Sequence, residues 1–287
     1  MGHLKFARIS SIYMQIMGRI SANARVRRAA VAGMFYPGER SALRSAVALL
    51  LKQAAADSQR RAPPKAMIVP HAGYPYSGHT AAAAYARLAP VRDQITRVVL
   101  IGPSHHAYFR GIALPQSDVF ATPLGDIRVD AGGKAQLLAR GDMVVSDVPH
   151  ESEHCLEVQL PFLQSILGDF TILPLVAGDA SPEYVASVLA DVWGGNETLV
   201  LASSDLSHYH SYQAARDIDT QTVAAIVARE PFLSPEQACG AVGINGLLTL
   251  ARKRNLAVEK IEYLNSGDTA GDRARVVGYG AFAVYGP

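Results

Sequence analysis

A run of branched apolar residues that leads straight into two histidines decides the fold of this chain: Arg97-Val98-Val99-Leu100-Ile101-Gly102-Pro103-Ser104-His105-His106. The apolar residues do not alternate with polar ones, as they would in a strand with one face in water. Such a run is typical of a parallel strand that is covered on both faces. The sequence therefore predicts a buried strand over 97–101 with a histidine loop at its carboxyl end.

The same pattern of apolar run and histidine loop occurs twice more. Lys65-Ala66-Met67-Ile68-Val69 precedes Pro70-His71-Ala72-Gly73-Tyr74, and Thr198-Leu199-Val200-Leu201-Ala202 precedes Ser203-Ser204-Asp205-Leu206-Ser207-His208-Tyr209-His210. In open parallel α/β sheets, ligands bind beyond the carboxyl ends of the strands. We therefore expect the three loops to meet at one edge of the sheet, where their side chains can hold a metal or move a proton.

Strand-like and helix-like segments alternate over most of the chain, which predicts an α/β fold. We expect a three-layer sandwich with a mostly parallel central sheet. Pro161 is expected to kink the helix that contains it or to start a new one. The helices are predicted over 39–56, 80–88, 153–167, 182–192, 213–229 and 235–253, and the further strands over 111–114, 126–129, 171–176, 258–264 and 275–285.

The chain has 287 residues and no Ser/Gly-rich or Pro-rich linker, which predicts a single domain over 27–287. Residues 1–26 are basic, and no acidic residue precedes Glu39. We interpret them as a poorly ordered extension, for which an amphipathic arm, a targeting peptide and an early start codon are the alternatives.

Composition excludes several classes of function. The net charge of +2 is too small for a nucleic-acid surface, and no stretch is apolar enough to span a membrane. Two cysteines do not make a disulfide framework, so we expect a cytoplasmic protein. The chain also lacks the glycine-rich motifs of dinucleotide and P-loop nucleotide sites.

The adjacent histidines His105 and His106 point in different directions on an extended loop, so one of the two is expected to bind a metal. The other then binds substrate or transfers protons. Ser104 half-matches the Gly-x-Ser-x-Gly motif of serine hydrolases, but the final glycine is missing. The sequence therefore favours a metal or proton-transfer site over a serine nucleophile.

Four other residues are candidates for the same site. Asp205 and His208 meet if the chain turns into a helix there, with helix capping as the alternative use of the aspartate. His154 is a candidate acid or base and stands three residues before Glu157, a spacing also used in carboxylate-bridged metal sites. Cys239 precedes an apolar helix, whose start lowers a thiol's pKa, although most such cysteines are inert.

Five motifs follow one another in a fixed order along the chain. They are Ala29-Ala30-Val31-Ala32-Gly33-Met34-Phe35-Tyr36-Pro37, Pro70-His71-Ala72-Gly73-Tyr74, Gly102-Pro103-Ser104-His105-His106, Glu153-His154-Cys155-Leu156-Glu157-Val158-Gln159-Leu160-Pro161-Phe162 and Ser203-Ser204-Asp205-Leu206-Ser207-His208. With these motifs the chain resembles the Memo family, also called AmmeMemoRadiSam system protein B. The resemblance covers residue 27 to the end and implies a fold similar to that of class III extradiol dioxygenases, which are non-haem iron enzymes.

The resemblance implies a metal site formed by His71, His106 and Cys239. Proton transfer or substrate contacts then fall to the other candidates, which are His105, His154, Asp205 and His208. We expect a divalent metal, iron first with zinc and copper as alternatives, and a dioxygenase-like oxidoreductase of unknown substrate. The other two functions that remain open are a zinc-dependent hydrolase and a non-enzymatic adaptor that binds a peptide or a metal. The family name implies pathway partners of the Ammecr1 and radical-SAM types.

Overall fold

The computed structural model describes residues 24–57 and 63–286. Most of the basic extension expected over 1–26 lies outside the described residues. Its last three residues, 24–26, are described, and Val26 begins a short strand, β1 (Val26–Arg27), in which Arg27 is buried. Among the described residues, no helix is both long and apolar enough to cross a membrane.

Twelve strands and eight α-helices follow one another along the described residues. The strands after β1 are β2 (Ala66–Val69), β3 (Arg97–Pro103), β4 (Ile112–Leu114), β5 (Val119–Thr122), β6 (Gly125–Arg128), β7 (Val144–Val145), β8 (Thr171–Ala177), β9 (Thr198–Ser203), β10 (His208–His210), β11 (Ala257–Asn265) and β12 (Val276–Tyr285). The helices are α1 (Arg40–Asp57), α2 (Tyr74–Tyr85), α3 (Ala131–Leu138), α4 (Val148–Glu151), α5 (Leu160–Ile166), α6 (Pro182–Asp191), α7 (Tyr212–Val227) and α8 (Ala241–Lys253).

Nine of the strands form one large sheet in the order β10-β12-β2-β9-β3-β8-β4-β7, with β11 also paired to β12. The four central strands, β2, β9, β3 and β8, are all parallel. Antiparallel pairs join β12 to β2 and β4 to β8, so the sheet is mixed outside its centre. The predicted α/β class is confirmed. A separate small sheet has the order β1-β5-β6.

Two apolar cores, one on each face of the large sheet, make the structure three-layered. Val98 and Leu100 of β3 belong to one core, with residues of α1, α2 and α5. Val99 and Ile101 belong to the other core, with residues of α6 and α8. All four side chains have no exposed surface, which explains why this strand shows no polar alternation.

Three helix boundaries differ from the sequence prediction, and prolines account for two of them. Helix α2 begins at Tyr74 rather than residue 80, because Pro75 fits the first turn of a helix. The helix expected over 153–167 is shorter: Pro161 lies in the first turn of α5, and a 3-10 turn over Glu157–Gln159 precedes it. Helix α8 begins at Ala241, six residues later than expected. Helices α3 and α4 and strands β1, β5, β7 and β10 were not predicted.

Candidate functional site

The carboxyl ends of three neighbouring parallel strands, β2, β9 and β3, bring their loops together, as the sequence predicts. Strand β2 pairs with β9 and β9 with β3, all in parallel, so His71, His105 and Asp205 follow neighbouring strand ends. The ring centroids of His71 and His105 are 5.3 Å apart. His154, from the loop before α5, lies 5.3 Å from the His71 ring and 4.6 Å from the His105 ring.

The three imidazoles form the centre of the site. Each of His71, His105 and His154 offers a ring nitrogen that lies within 4.8 Å of the others. His71 is 1 % exposed, whereas His154 is half-buried and His105 is exposed. Three nitrogens at this spacing could surround one metal ion, with one side open to solvent.

Buried hydrogen bonds determine which nitrogen of His71 is free. The Ser203 hydroxyl donates to the Cys155 carbonyl at 2.6 Å and lies 2.9 Å from Nδ1 of His71. Because its one proton is committed to the carbonyl, the hydroxyl must accept the Nδ1–H of His71. Nε2 of His71 therefore carries a lone pair, which is the form that binds a metal.

The carboxylate of Glu153 fixes the protonated nitrogen of His105 in the same way. Nδ1 of His105 donates to Oε1 of Glu153 at 2.8 Å, and the backbone N–H of His105 donates to Oε2 at 2.7 Å. Burial alone raises the pKa of Glu153, but the hydrogen bonds from His105 and from the Cys155 backbone N–H hold that pKa well below its usual range. Glu153 is thus an anion that orients His105 and leaves its Nε2 free.

His71 and His154 are neutral at physiological pH. Burial, and then the neighbouring His105, lower the pKa of His71 to about 3. Burial, and then His71, lower the pKa of His154 to about 4. Neutral imidazole is a common ligand of zinc, copper, iron and nickel, so these donors fit a transition metal better than magnesium or calcium.

Cys239 adds a sulfur donor beside His71. Its Sγ lies 3.3 Å from Nε2 of His71, and it accepts a hydrogen bond from the backbone N–H of Asp205 at 3.3 Å. Burial, followed by the charge of Asp205, raises the pKa of the thiol to about 12. Burial therefore outweighs the lowering of the pKa that the start of a helix provides. In this form the thiol donates to Nε2 of His71.

Asp205 binds the His71 loop rather than His208. Its Oδ1 accepts the backbone N–H of His71 at 2.7 Å and that of Ala72 at 3.3 Å. Residues 204–207 are not helical, so the predicted turn that would join Asp205 to His208 does not form. Within the described residues no hydrogen bond links these two side chains. Burial raises the pKa of Asp205.

His106 is the one sequence-predicted ligand that the fold leaves outside the cluster. Its side chain is exposed, and its nearest ring contact in the cluster is His154, at 6.3 Å between centroids. The loop directs His105 toward His71 because both the ring and the backbone of His105 bind Glu153. The fold thus places His105, rather than His106, among the three clustered imidazoles.

Glu157 does not share a face with His154, because residues 153–156 are not helical. Its buried carboxylate pairs with Arg27 and accepts the backbone N–H groups of Ala30 and Val31 at 2.7 and 3.0 Å. The same carboxylate accepts the hydroxyl of Tyr36. Glu157 therefore fastens residues 27–36 to the body of the protein and is not a metal ligand.

A cavity of about 1100 Å³ opens above the histidine cluster. A second cavity, of about 610 Å³, lies beside α1 and has no histidine or cysteine in its lining. The larger cavity has mainly aromatic and charged walls, and His208 belongs to them. The residues that bear on its chemistry are His71, His105, His154, His208, His210, Phe35, Tyr76, Tyr209, Tyr279, Asp205, Glu236, Cys239, Asp272 and Arg275.

Sequence reasoning did not single out Ser203 and Glu153 as partners of the histidines. The available signal for Ser203 was its place at the end of β9, and for Glu153 its place beside His154 in a motif. Neither signal identifies a partner, because Ser203 and His71 are 132 residues apart in sequence and Glu153 and His105 are 48 apart.

Comparisons with known proteins agree with the resemblance noted in the sequence. A family model described as "Memo-like protein" matches residues 27–283. A "MEMO1 family protein" of Aquifex aeolicus is 34% identical over 270 residues, covering 89% of this chain and 97% of that protein. A protein of the same description from Methanococcoides burtonii is 36% identical over 273 residues, covering 90% of this chain and 100% of that protein. An uncharacterised Escherichia coli K12 protein of known structure aligns with a TM-score of 0.48 at 11% identity, over 76% of this chain and 98% of that one.

Proposed function

The chain belongs to the Memo-like family, and we propose that it is an iron-dependent oxidoreductase whose metal is bound by His71, His105 and a third donor, which is either His154 or Cys239. The observation that carries this proposal is the set of three imidazole nitrogens within 4.8 Å of one another, beneath a substrate-sized cavity. Non-haem iron oxygenases need such a site, with few protein ligands and open positions for reactants. Bound iron would supply the one-electron chemistry with dioxygen that amino-acid side chains lack.

The side chains around the imidazoles support the proposal because they prepare the donors in advance. Ser203 and Glu153 each accept an Nδ1–H, which turns two Nε2 lone pairs toward the same space. Gln159 holds Ser203 in place: its Nε2 donates to the Ser203 hydroxyl at 2.9 Å, and its Oε1 accepts from Tyr85 at 2.7 Å. Donors fixed in this way lose little freedom when a metal binds.

Where Cys239 is the third donor, His154 is left for contact with the substrate and for proton transfer. Its pKa of about 4 leaves the imidazole unprotonated at neutral pH, so a ring nitrogen can accept a hydrogen bond from a bound substrate. Phe35 packs against the ring, with centroids 4.7 Å apart. This contact limits the positions that the imidazole can adopt.

A second candidate function is metal-assisted hydrolysis with zinc. The observation that favours it is the sulfur of Cys239, 3.3 Å from Nε2 of His71, because zinc is commonly bound by imidazole nitrogen together with thiolate sulfur. The two candidates differ in the metal and share the residues that bind it.

The test is metal analysis of protein purified without oxygen, in the wild type and in single variants. We expect iron in the wild type and a loss of most of the bound metal in His71→Ala and His105→Ala. His106→Ala is the matched control, because it removes the neighbouring imidazole from the same loop and should leave the metal content unchanged. Cys239→Ser and His154→Ala identify which further donor binds the metal.

Three outcomes would change the proposal. Zinc in place of iron would favour the hydrolase. Unchanged metal content in both His71→Ala and His105→Ala would refute the site. A wild-type protein that binds no metal would favour a non-enzymatic role.

A further inference from the structure

The short strand β10 presents three successive ring side chains to the large cavity. His208, Tyr209 and His210 all line it. In a regular strand, successive side chains point to opposite faces of the sheet, so three in a row cannot face one cavity. The pairing with β12 explains the exception: His208 is opposite Val277 and His210 is opposite Val276, so Tyr209 is the extra residue of a bulge.

Tyr209 adopts a backbone conformation that is costly for its residue type. Its φ angle is +62°, in the left-handed region that favours glycine. Its side chain is 63 % exposed, so burial in the core does not compensate for this cost. A bulky residue kept in this conformation beside a cavity indicates that the direction of its side chain serves binding.

Arg275 is the cation that Tyr209 meets at this wall. The guanidinium carbon lies 5.1 Å from the centroid of the Tyr209 ring, and Arg275 lines the same cavity. Among the ion pairs of the described residues, none joins Arg275 to a carboxylate. Its guanidinium donors are therefore available to a ligand in the cavity.

The two acidic residues of this wall have partners in their own loops. Asp272 accepts the backbone N–H groups of Ala274 and Arg275 at 2.8 and 3.3 Å. The carboxylate of Glu236 is hydrogen-bonded by the Ser234 side chain. Neither carboxylate forms an ion pair with the Arg275 guanidinium, so both leave the arginine free to meet an anion.

We propose that Arg275 and Tyr209 bind the terminal carboxylate or phosphate group of a small organic molecule, whose body lies between them and the histidine cluster. The guanidinium offers a pair of parallel N–H donors that match such a group, and the tyrosine hydroxyl offers another. The cavity of about 1100 Å³ is large enough for a small organic ligand as well as a metal ion. The identification of this ligand as the substrate rests on the proposed function. The prediction that the ligand binds here is independent of that function.

Arg273 supplies a matched control. It is also exposed, and its guanidinium carbon lies 4.4 Å from the ring centroid of Tyr212. It does not line the large cavity. Arg273→Gln therefore removes the same charge and the same type of ring contact, two residues away, at a side chain that does not line the cavity and whose one hydrogen bond, to the Gly267 carbonyl, is long at 3.4 Å.

The experiment measures the binding of benzoate, phenylphosphonate and neutral benzamide to the full chain by calorimetry, after chelation and again after metal loading. We expect at least one anion to bind about tenfold or more tightly than benzamide in both states. Arg275→Gln should weaken the binding of the more tightly bound anion by about tenfold or more, since hydrogen bonds between charged groups are stronger than those between neutral groups. Arg273→Gln should change that affinity by less than about twofold, because it leaves the cavity wall intact. If benzoate binds more tightly than phenylphosphonate, the ligand carries a carboxylate group. If phenylphosphonate binds more tightly, the ligand carries a phosphate group.

The proposal is refuted if both anions bind no better than benzamide, or if Arg275→Gln and Arg273→Gln have the same effect. Because binding is also measured on the chelated protein, selective anion binding can be detected even if the protein proves not to hold a metal. The reverse result, metal binding without anion selectivity, would refute the Arg275 site alone.

Discussion

Replacing Glu157 by glutamine tests how the N-terminal part of the described chain is held. The buried carboxylate receives four partners, which are the Arg27 side chain, the backbone N–H groups of Ala30 and Val31, and the Tyr36 hydroxyl. Glutamine offers one oxygen in place of two and turns an NH₂ group toward these donors. Arg27, 5 % exposed, is then left as a buried charge without its counter-ion.

Removing one partner of a buried ion pair costs about 3–5 kcal/mol, because the other charge stays desolvated. We expect Glu157→Gln to lower the free energy of unfolding in urea by this amount. The control is Asp169→Asn, which removes an exposed pair with Arg128 at 3.2 Å, and which should cost less than about 1 kcal/mol. A loss below about 1 kcal/mol in Glu157→Gln as well would mean that the carboxylate does not fasten residues 27–36, and the reasoning would be wrong.

Three further predictions concern Glu153, His150 and Phe162. Glu153→Gln should lower metal affinity by about 10–100-fold in a competition titration with a chelator, because His105 loses the carboxylate that orients it; equal affinity would exclude this role. Burial lowers the pKa of His150 from 6.5 to about 4, so between these pH values the imidazole is protonated in the unfolded chain and neutral in the folded one. The free energy of unfolding should therefore fall by up to about 3 kcal/mol as the pH drops from 6.5 to 4. His150→Gln should flatten this part of the profile of unfolding free energy against pH; an unchanged slope would refute this role of His150. Phe162→Ala should cost about 3–5 kcal/mol in the same urea assay, since the ring is fully buried and stacks on Tyr85 at 4.9 Å; a cost near 1 kcal/mol would show that the core closes around the gap.

The central strands and the edge where the site lies could be predicted from the sequence, because both depend on local patterns. The run Val98 to Ile101 is apolar at every position, which only a strand covered on both faces requires. Parallel pairing then places the residues after each strand at a common edge, and this is how His71 was found. Nothing beyond the local sequence was needed for either step.

The roles of individual side chains could not be predicted, because they depend on partners that are distant in the chain. His105 and His106 are adjacent and chemically identical, and only the position of Glu153 distinguishes them. Cys239 lies 168 residues from His71, and its high pKa comes from burial that the start of a helix does not reveal. The spacing of His154 and Glu157 suggested a shared face, but the 3-10 turn between them separates their functions.

The bulged strand β10 and the central strand β3 give the two ends of the cavity different resistance to local opening. Strand β3 has hydrogen-bonded neighbours on both sides, whereas β10 has three residues and is the terminal strand of its sheet, paired with β12. Backbone amides of β3 should therefore exchange with solvent only when the whole domain unfolds, while those of β10 exchange through brief local openings. The cavity floor that carries His71 and His105 would keep its shape while the part of the wall that carries Tyr209 opens and recloses, so ligands could enter and leave without disturbing the donors below.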